Sequence, residues 1–295
     1  MKARRCSNAL PRIRSFGHGW LNHFALSQGH HVVGFSRRGV SFLDDQIIGD
    51  ACDNSLLKRT VSDGGFDIIV NCIGVLNQFA ERDYKRAEYL NGQLPHLLAH
   101  LTEGTPARVF QMSTDCVFAG NTGPYTEMSI PDGDSVYDRT KAEGELRDDK
   151  NLTFRCSIVG PDLNQNGIGL LNWFMKQKGT IKGYVNAIWT GLTTLELAKA
   201  MECAAGEEVS GLVNMVPPES ISKYELLCLF REHLRRDAIE IIPDTTYKMD
   251  KTLIRANFES SFLPKSYEEQ IMELAEWMRG HKSLYQCYGA VFFNE

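Results

Sequence analysis

The 295-residue sequence has no apolar run near the roughly 20 residues that a membrane-spanning helix requires, and it contains no internal repeat. Its net charge of −5 lacks the positive excess that is typical of nucleic-acid-binding proteins. Its eight cysteines form no C-x-x-C pair, which favours reduced, buried thiols over a disulfide framework or a zinc site. We therefore expect a cytoplasmic protein without a metal, and with neither nucleic acid nor a membrane as its partner.

Strand-like and helix-like patterns alternate through the first 160 residues. Short apolar runs, typical of buried parallel strands, occur at 31–36, 66–72, 107–112 and 152–158. Helical patterns occur at about 20–28, 54–62, 80–102 and 135–148. This alternation predicts right-handed βαβ units and an α/β fold with a Rossmann-type doubly wound parallel sheet.

The pattern becomes less regular after residue 160. Helices are predicted at 167–178, 194–205, 221–235 and 267–280, and short strands near 182–186, 211–215 and 238–242. We therefore predict two domains. A dinucleotide-binding Rossmann domain with an atypical first strand spans 1–160, and a smaller, mostly helical substrate-binding region spans 161–295, interleaved with the sheet domain near 180–200.

A hydroxyl, a phenol and an ammonium group occur in the middle of the chain where they could converge on one carbonyl. Ser113 and Thr114 follow the predicted strand at 107–112, while Tyr137 and Lys141 are four residues apart in a predicted helix and share one face. A phenol has an unperturbed pKa of about 10. A nearby ammonium is expected to lower that pKa, which suits proton transfer to a carbonyl oxygen while another group delivers a hydride.

The Tyr-x-x-x-Lys spacing is weak evidence by itself, because Tyr247 and Lys251 repeat it near the other end of the chain. No strand-terminal serine or threonine precedes that second pair, and we interpret it as a surface coincidence. The Ser113–Thr114 pair at the end of a buried strand is what distinguishes Tyr137 and Lys141.

The phosphate-binding loop that opens a dinucleotide fold is incomplete. A first strand and G-x-G-x-x-G are expected near residues 3–19, but this stretch has no apolar strand and retains only Gly17 and Gly19. Three interpretations are open. Tertiary context forces a poor strand into place, the sequence upstream of Gly17 is altered by a frame error, or the protein has lost tight cofactor binding.

The later cofactor contacts can be predicted from where the strands end. Ser36, Arg37 and Arg38 follow the strand at 31–36, and arginines there favour a ribose 2′-phosphate, hence NADPH over NADH. The alternative is that both arginines are solvated residues of a turn, and NADH remains a possible cofactor. The contacts predicted along the next strands are Asp50, Ala51, Cys72, Ile73 and Gly74.

Together these residues resemble the extended short-chain dehydrogenase/reductase family, and within it the dTDP-4-dehydrorhamnose reductase branch. The similarity is carried by three segments, at 113–120 (STDCVFAG), 123–127 (GPYTE) and 136–145 (VYDRTKAEGE). Two residues depart from the pattern of that branch. Cys116 replaces a tyrosine, and Asp138 replaces the glycine that usually follows the catalytic tyrosine.

The resemblance implies NADPH-dependent reduction of the 4-keto group of a nucleotide-linked 4-keto-6-deoxy sugar, for rhamnose and other precursors of cell-surface polysaccharide. Tyr137 would be the general acid, Lys141 would lower the pKa of Tyr137 and bind the nicotinamide ribose, and Thr114 would orient the carbonyl. Asn91 matches a helix asparagine of the family that supports the cofactor site, although it could also be an ordinary polar helix residue. The candidate substrate contacts are Cys116, Val117, Phe118, Trp173, Tyr184, Asn186 and Trp189, of which Trp173 could equally be core.

Other functions of the same fold are open alternatives. A related branch is the non-catalytic NADP-binding regulatory subunit of methionine adenosyltransferase, and the incomplete glycine loop and Cys116 favour it. A nucleotide-sugar epimerase or dehydratase is a third reading, but a dehydratase needs a second acid after Thr114, which Asp115-Cys116 lacks. The partners that we expect are a nucleotide-sugar substrate and a second copy of the chain in a possible homodimer.

Overall fold

The computed structural model describes residues 12–16, 28–39, 42–43, 45–163, 167–235, 239–256 and 260–293. The strands are β1 (Arg12–Phe16), β2 (His31–Ser36), β3 (Gln46–Ile48), β4 (Ile68–Asn71), β5 (Arg108–Met112), β6 (Leu152–Arg155), β7 (Ser157–Val159), β8 (Gly179–Trp189), β9 (Gly191–Thr193), β10 (Gly211–Asn214), β11 (Ile221–Ser222) and β12 (Ile239–Asp250). The helices are α1 (Asn54–Gly64), α2 (Asn77–Arg82), α3 (Tyr84–Ala87), α4 (Leu94–Leu101), α5 (Val136–Glu143), α6 (Leu170–Met175), α7 (Thr194–Gly206), α8 (Lys223–Leu234), α9 (Tyr267–Gly280) and α10 (Gly289–Phe293).

Seven parallel strands form the central sheet, in the order β10-β6-β5-β4-β1-β2-β3. The chain adds β2 and β3 on one side of β1, and then adds β4, β5, β6 and β10 on the other side. The direction in which strands are added therefore reverses between β1 and β4. Ligands of doubly wound sheets bind at such a reversal, beyond the carboxyl ends of the strands. The predicted Rossmann-type α/β fold is confirmed, and it places the ends of β4 and β5 at the expected binding crevice.

The first strand was not apparent from the sequence. Arg12–Phe16 pairs in parallel with β2 on one side and with β4 on the other. Of the three interpretations of the N-terminal stretch, the one in which tertiary context forces a poor strand into place therefore holds for β1. Gly17 and Gly19 lie outside the described residues, as does nearly all of the helix predicted at about 20–28.

Most other predicted elements are present, with two revisions in the helices. The helix predicted at 80–102 consists of α2, α3, a π-helical segment (Glu88–Gln93) and α4, and it is interrupted at Asp83. The helix predicted at 135–148 stops at Glu143, and Gly144 follows as its C-cap, where the Asn91 backbone lies too close for a Cβ atom.

The chain beyond residue 160 contributes to the central sheet and also builds a smaller one. β10 is the edge strand of the central sheet, while β11, β8 and β12 form a three-stranded sheet and β7 pairs with β9. The strands predicted near 182–186 and 238–242 are longer than expected. The division into two domains at residue 160 stays a prediction.

The interior is apolar and its thiols are reduced. Phe110 of β5 packs edge-on against Phe154 of β6 in the main core, with ring centres 5.4 Å apart. The seven cysteines in the described residues are all free. No helix in the described parts of the chain is long and apolar enough to cross a membrane.

Candidate active site

The turn after β5 holds Thr114 beside Tyr137. Thr114 begins a short 3₁₀ helix (Asp115–Val117), where its hydroxyl accepts a hydrogen bond from the Cys116 amide at 3.2 Å and donates one to the Asp115 carboxylate at 3.1 Å. This 3₁₀ helix packs against α5, and Cys116 lies against Tyr137 in a small apolar cluster. The structure therefore brings together two of the three predicted catalytic side chains.

Tyr137 is held by the first turn of α5. Ser135 caps this helix by accepting a hydrogen bond from the Asp138 amide at 3.1 Å, and the Asp138 carboxylate accepts one from the Ser135 amide at 3.4 Å. Such a reciprocal capping box fixes where a helix begins. Asp138, which departs from the family pattern, therefore helps to position the tyrosine that precedes it.

Lys141 is oriented differently from the prediction. Its side chain is only 5% exposed, and its ammonium group donates a hydrogen bond to the main-chain oxygen of Met112 at 2.5 Å. Burial lowers the pKa of Lys141 to about 8, and the nearby Glu145 carboxylate opposes this shift. Lys141 thus anchors α5 to the end of β5.

The expectation that Lys141 lowers the pKa of Tyr137 is wrong. Burial raises the pKa of the Tyr137 phenol, and the Cys116 thiol adds to this effect, whereas the hydrogen bond with Thr114 opposes it. The physical reason is that desolvation disfavours the charged phenolate more than its neighbours stabilise it. The phenol is consequently protonated at neutral pH.

Asn91 connects the loop after β4 to α5. It lies in the π-helical segment and is fully buried. Its side-chain oxygen accepts from the Val75 amide at 2.8 Å, and its side-chain nitrogen donates to the Val75 oxygen and to the Thr140 hydroxyl, both at 3.0 Å. π-helical turns are frequent at functional sites. Asn91 therefore holds the loop after β4 against α5, and its place in a cofactor site stays a prediction.

A buried ion pair lies behind the catalytic turn. The Arg155 guanidinium binds both oxygens of the Glu145 carboxylate, at 2.6 and 2.7 Å, and neither side chain is accessible to solvent. The Ser113 hydroxyl donates to the same carboxylate at 2.8 Å. Ser113 therefore supports the site from behind, while Thr114 faces Tyr137. The sequence analysis did not identify Glu145 or Arg155 as supporting residues.

The predicted cofactor residues lie at the carboxyl ends of β2, β3 and β4. Arg37 and Arg38 are exposed directly after β2, in a turn held by a hydrogen bond from the Ser36 hydroxyl to the Arg38 oxygen at 2.6 Å. The Asp50 carboxylate accepts from the Cys52 amide at 3.0 Å and pairs with Arg86 at 2.9 Å, and both contacts lower the pKa of Asp50.

The remaining predicted cofactor contacts are ordered by neighbouring side chains. Ala51 is buried, and its oxygen accepts a hydrogen bond from Tyr89 at 3.3 Å. The Ile73 amide donates to the Asn71 side chain at 3.2 Å, which fixes the segment from Cys72 to Gly74 as it leaves β4.

Among the predicted substrate contacts, Val117 and Phe118 have fully buried side chains. The Phe118 ring stacks on Tyr125 with centres 4.0 Å apart, so neither Val117 nor Phe118 presents an accessible surface to a ligand. Cys116 is half-buried, and burial raises the pKa of its thiol to about 12. Its side chain therefore presents an uncharged thiol to the site.

The predicted aromatic contacts occupy different environments. Trp173 is 41% exposed, whereas Trp189 is 4% exposed and lies beneath the Lys223 ammonium, 4.6 Å from its ring centre. Tyr184 is exposed and packs against Tyr247, with ring centres 5.0 Å apart. Asn186 donates to the Thr245 oxygen at 3.1 Å, so its side chain serves the three-stranded sheet.

Two lysines that the sequence analysis missed face the catalytic turn. The charges of Lys223 and Lys251 both act on Asp115, which is 8% exposed and directly follows Thr114. Lys251 follows β12, a strand rather than a helix, and lies beside Gly120. Tyr247 is exposed, and the two residues lie in and just after a strand, so their helix-like spacing is a coincidence, although Lys251 itself lies beside the loop at Gly120.

Comparison with known proteins agrees with this geometry. The family model for the RmlD substrate binding domain matches residues 19–288. The dTDP-4-dehydrorhamnose reductase of Shigella flexneri is 27% identical over 256 residues, 80% of this chain and 84% of that protein. The methionine adenosyltransferase 2 subunit beta of Xenopus laevis is 31% identical over 94 residues, 32% of this chain and 28% of that protein.

A solved structure shares the fold. The dTDP-4-dehydrorhamnose reductase from Bacillus anthracis, in complex with NADP, superposes with a TM-score of 0.73 at 17% identity, covering 90% of this chain and 98% of that one. The chain therefore belongs to the RmlD substrate binding domain family, which confirms its resemblance to the dTDP-4-dehydrorhamnose reductase branch of the extended short-chain dehydrogenases/reductases.

Proposed function

We propose that this protein is an NADPH-dependent oxidoreductase that reduces the 4-keto group of a nucleotide-linked 4-keto-6-deoxy sugar. The observation that carries the proposal is the packing of the turn that begins at Thr114 against the helix that carries Tyr137, beside the carboxyl end of β5 and close to the reversal of strand order. A relative of similar length is named dTDP-4-dehydrorhamnose reductase, which supports the same reaction. We place the reaction in the cytoplasm, where cysteines stay reduced, and a homodimer stays a prediction.

The residues present suit a nicotinamide dinucleotide. Arg37 and Arg38 are exposed where a ribose 2′-phosphate would lie, and guanidinium groups bind phosphate through paired hydrogen bonds. Gly74 lets the chain pass close to Asn91 after β4, since a Cβ atom there would lie 3.3 Å from the Asn91 side-chain oxygen, which is a tight contact. The solved Bacillus anthracis relative is in complex with NADP. We assign the 2′-phosphate to Arg37 and Arg38, and the nicotinamide side to Cys72, Ile73 and Gly74.

The protein's own groups supply the proton and hold the substrate oxygen. NADPH supplies the hydride when it is bound. Tyr137 donates its phenolic proton to the oxygen of the keto group, and its raised pKa keeps that proton in place at neutral pH until the oxygen becomes basic. The Thr114 hydroxyl hydrogen-bonds the same oxygen and orients it. Lys141 keeps α5 against β5 and is the candidate to bind the ribose hydroxyls.

Cofactor titration followed by turnover tests this function. NADPH and NADH are titrated by fluorescence against the purified protein, dTDP-4-keto-6-deoxy sugar is then added, and NADPH oxidation is followed. We expect NADPH to bind and Tyr137→Phe to lower turnover by about 10²–10⁴-fold. Tyr247→Phe, which changes the phenol of the second Tyr-x-x-x-Lys pair, is the matched control and should retain activity. Absence of cofactor binding, or full activity of Tyr137→Phe, would contradict the proposal.

A regulatory function is the second candidate. It is favoured by the 31% identity over 94 residues to a methionine adenosyltransferase 2 subunit beta. In that case the protein binds NADPH but oxidises none of it with any keto sugar, and Tyr137→Phe leaves every measured property unchanged. An epimerase differs again, because it changes the configuration of the sugar without net consumption of the cofactor.

A further inference from the structure

Two glutamates and a histidine lie together where the end of α8 meets the start of α9. Glu232 and His233 are in the last turn of α8, and Glu268 is in the first turn of α9. One potential ligand atom from each side chain lies within 4.8 Å of the other two. None of the three residues belongs to the candidate active site, so that site does not explain their proximity.

The imidazole of His233 lacks a hydrogen bond on the side that faces this cluster. Its Nε2 atom is shielded from solvent and has no hydrogen-bond partner among the described residues. The Glu268 Oε1 atom is 3.8 Å from Nε2, which is beyond hydrogen-bonding distance. A shielded nitrogen without a partner costs free energy, and in a native protein it is a place to look for a bound water or ion.

Neither carboxylate is paired with a lysine or arginine among the residues that the structure describes. Within the described ranges, Glu232 makes no ion pair, and Glu268 makes one only with His233. The guanidinium groups of Arg235 and Arg279 lie in the same region but donate to main-chain oxygens, and Arg279 binds that of His233 at 3.0 Å. The carbonyl end of α8 adds further negative potential. This environment therefore favours a bound cation.

We propose that Glu232, His233 and Glu268 bind a divalent transition-metal ion, Zn²⁺ before others. One imidazole nitrogen and two carboxylate oxygens are a ligand set that zinc accepts, at about 2.0–2.2 Å from the metal. Tetrahedral geometry at those bond lengths separates ligand atoms by about 3.3 Å. Rotation of the two exposed glutamate side chains would bring the three ligand atoms, now within 4.8 Å of one another, to that separation. A water molecule completes the coordination. Ca²⁺ and Mg²⁺ prefer oxygen ligands alone and are disfavoured by the imidazole.

The location gives the ion an entry path and a structural effect. Glu232 and His233 line a cleft of about 340 Å³ between α8, α9 and α10, and the cleft is open to solvent. An ion held by residues of both helices would cross-link the end of α8 to the start of α9. Because such an ion binds the folded chain more tightly than the unfolded one, it stabilises the fold. The proposed site is independent of the reductase function.

Metal titration of the full chain tests the proposal. Zn²⁺, Co²⁺, Mg²⁺ and Ca²⁺ are added separately to chelator-treated protein, and binding is followed by calorimetry, by thermal unfolding and, for Co²⁺, by visible absorption. We expect one Zn²⁺ or Co²⁺ to bind per chain through this site and to raise the unfolding temperature, with no effect of Mg²⁺ or Ca²⁺. Binding should weaken on acidification, because protons compete for the imidazole.

Matched variants locate the ion. His233→Ala and Glu268→Gln should each weaken Zn²⁺ binding by more than about 100-fold, which exceeds the roughly 10–100-fold effect of a residue that only supports a ligand. His100→Ala is the control, because His100 pairs with Glu103 at 3.2 Å on the surface but has no second carboxylate. Glu276→Gln is a second control, which changes another glutamate of the same cleft and should leave Zn²⁺ affinity unchanged. Zn²⁺ affinity unchanged in His233→Ala, or lost equally in His100→Ala, would overturn the site.

Discussion

The Lys141 ammonium donates its hydrogen bond to the main-chain oxygen of Met112, 2.5 Å away, at the last residue of β5. This bond ties α5 to the strand that carries Ser113 and Thr114 into the site. The bond requires the ammonium group to be buried, which costs free energy, and this burial lowers the pKa of Lys141 to about 8. Because lysine in an unfolded chain has a pKa of about 10.4, the unfolded state binds this proton more readily than the folded state.

The first prediction follows from that difference. At neutral pH the lowered pKa of Lys141 destabilises the fold, and this penalty is relieved as the pH rises from about 8 to above 10. Lys141→Met removes the cation, so we expect its stability relative to wild type to be greatest near pH 7 and to decline toward pH 10. Urea unfolding at several pH values, in the presence of a reductant, measures this difference. NADPH oxidation by the variant should be lost.

The exposed Lys182 provides the control for that experiment. It pairs with Asp244 at the surface, with 72% of its side chain accessible. Lys182→Met should show no comparable pH trend. If the stability of Lys141→Met followed that of wild type in parallel from pH 7 to pH 10, the pKa of Lys141 would be the same in the folded and unfolded states, and burial would not lower it.

The buried ion pair behind the site gives the second prediction. Removing one partner of a buried pair leaves an uncompensated charge and costs about 3–5 kcal/mol, so Arg155→Met should be strongly destabilising. Arg147→Met is the matched control, because Arg147 binds the same Glu145 carboxylate at 3.0 Å from a half-exposed position. Exposed pairs contribute about 0–1 kcal/mol. Equal losses in the two variants, measured by urea unfolding, would contradict the role given to burial.

The local sequence predicted the elements whose signals are complete within a few residues. β2 was expected at 31–36 and α9 at 267–280, and both are observed with those limits. An unbroken apolar run identifies β2, and the Ser266 capping box marks where α9 begins. β1 has no such signal, because two of its five residues are arginines. Hydrogen bonds with strands on both sides place it, and these neighbours are far away in sequence.

The same distinction applies to the candidate site. The proximity of Thr114 and Tyr137 was predictable, since a strand end and the following helix meet in every βαβ unit of this kind. The direction of the Lys141 side chain depends on burial, which spacing does not reveal. Lys223 and Lys251 come from the last third of the chain, and only the packing of β12 against the loop at Gly120 brings Lys251 to Asp115.

The third prediction concerns the choice of cofactor. Arg37 and Arg38 are exposed after β2, where they are proposed to bind the 2′-phosphate that distinguishes NADPH from NADH. Charge-assisted hydrogen bonds contribute about 1.5–3 kcal/mol each, so replacing both arginines with serine should weaken NADPH binding by at least tenfold. NADH affinity should stay the same. Arg59→Ser on the exposed side of α1 controls for the loss of surface charge, and fluorescence titration measures all three proteins.

That experiment separates the two interpretations of the turn. If the double variant retained the full preference for NADPH, Arg37 and Arg38 would be solvated residues without a ligand. An equal weakening of NADPH and NADH would instead indicate that the turn itself had been disturbed.

The fourth prediction concerns Lys223, whose ammonium lies over Trp189 and faces the turn after Thr114. Burial lowers the pKa of Lys223 to about 8, while the negative charge of Asp115 opposes the shift. Its positive charge is therefore lost as the pH rises through about 8. If the ammonium donates to an oxygen of the sugar, the KM of the keto sugar should rise above pH 8. Lys223→Met should have a high KM at every pH, and Lys182→Met should behave like wild type. A KM in Lys223→Met that equals the wild-type value at pH 7 would exclude Lys223 from substrate binding.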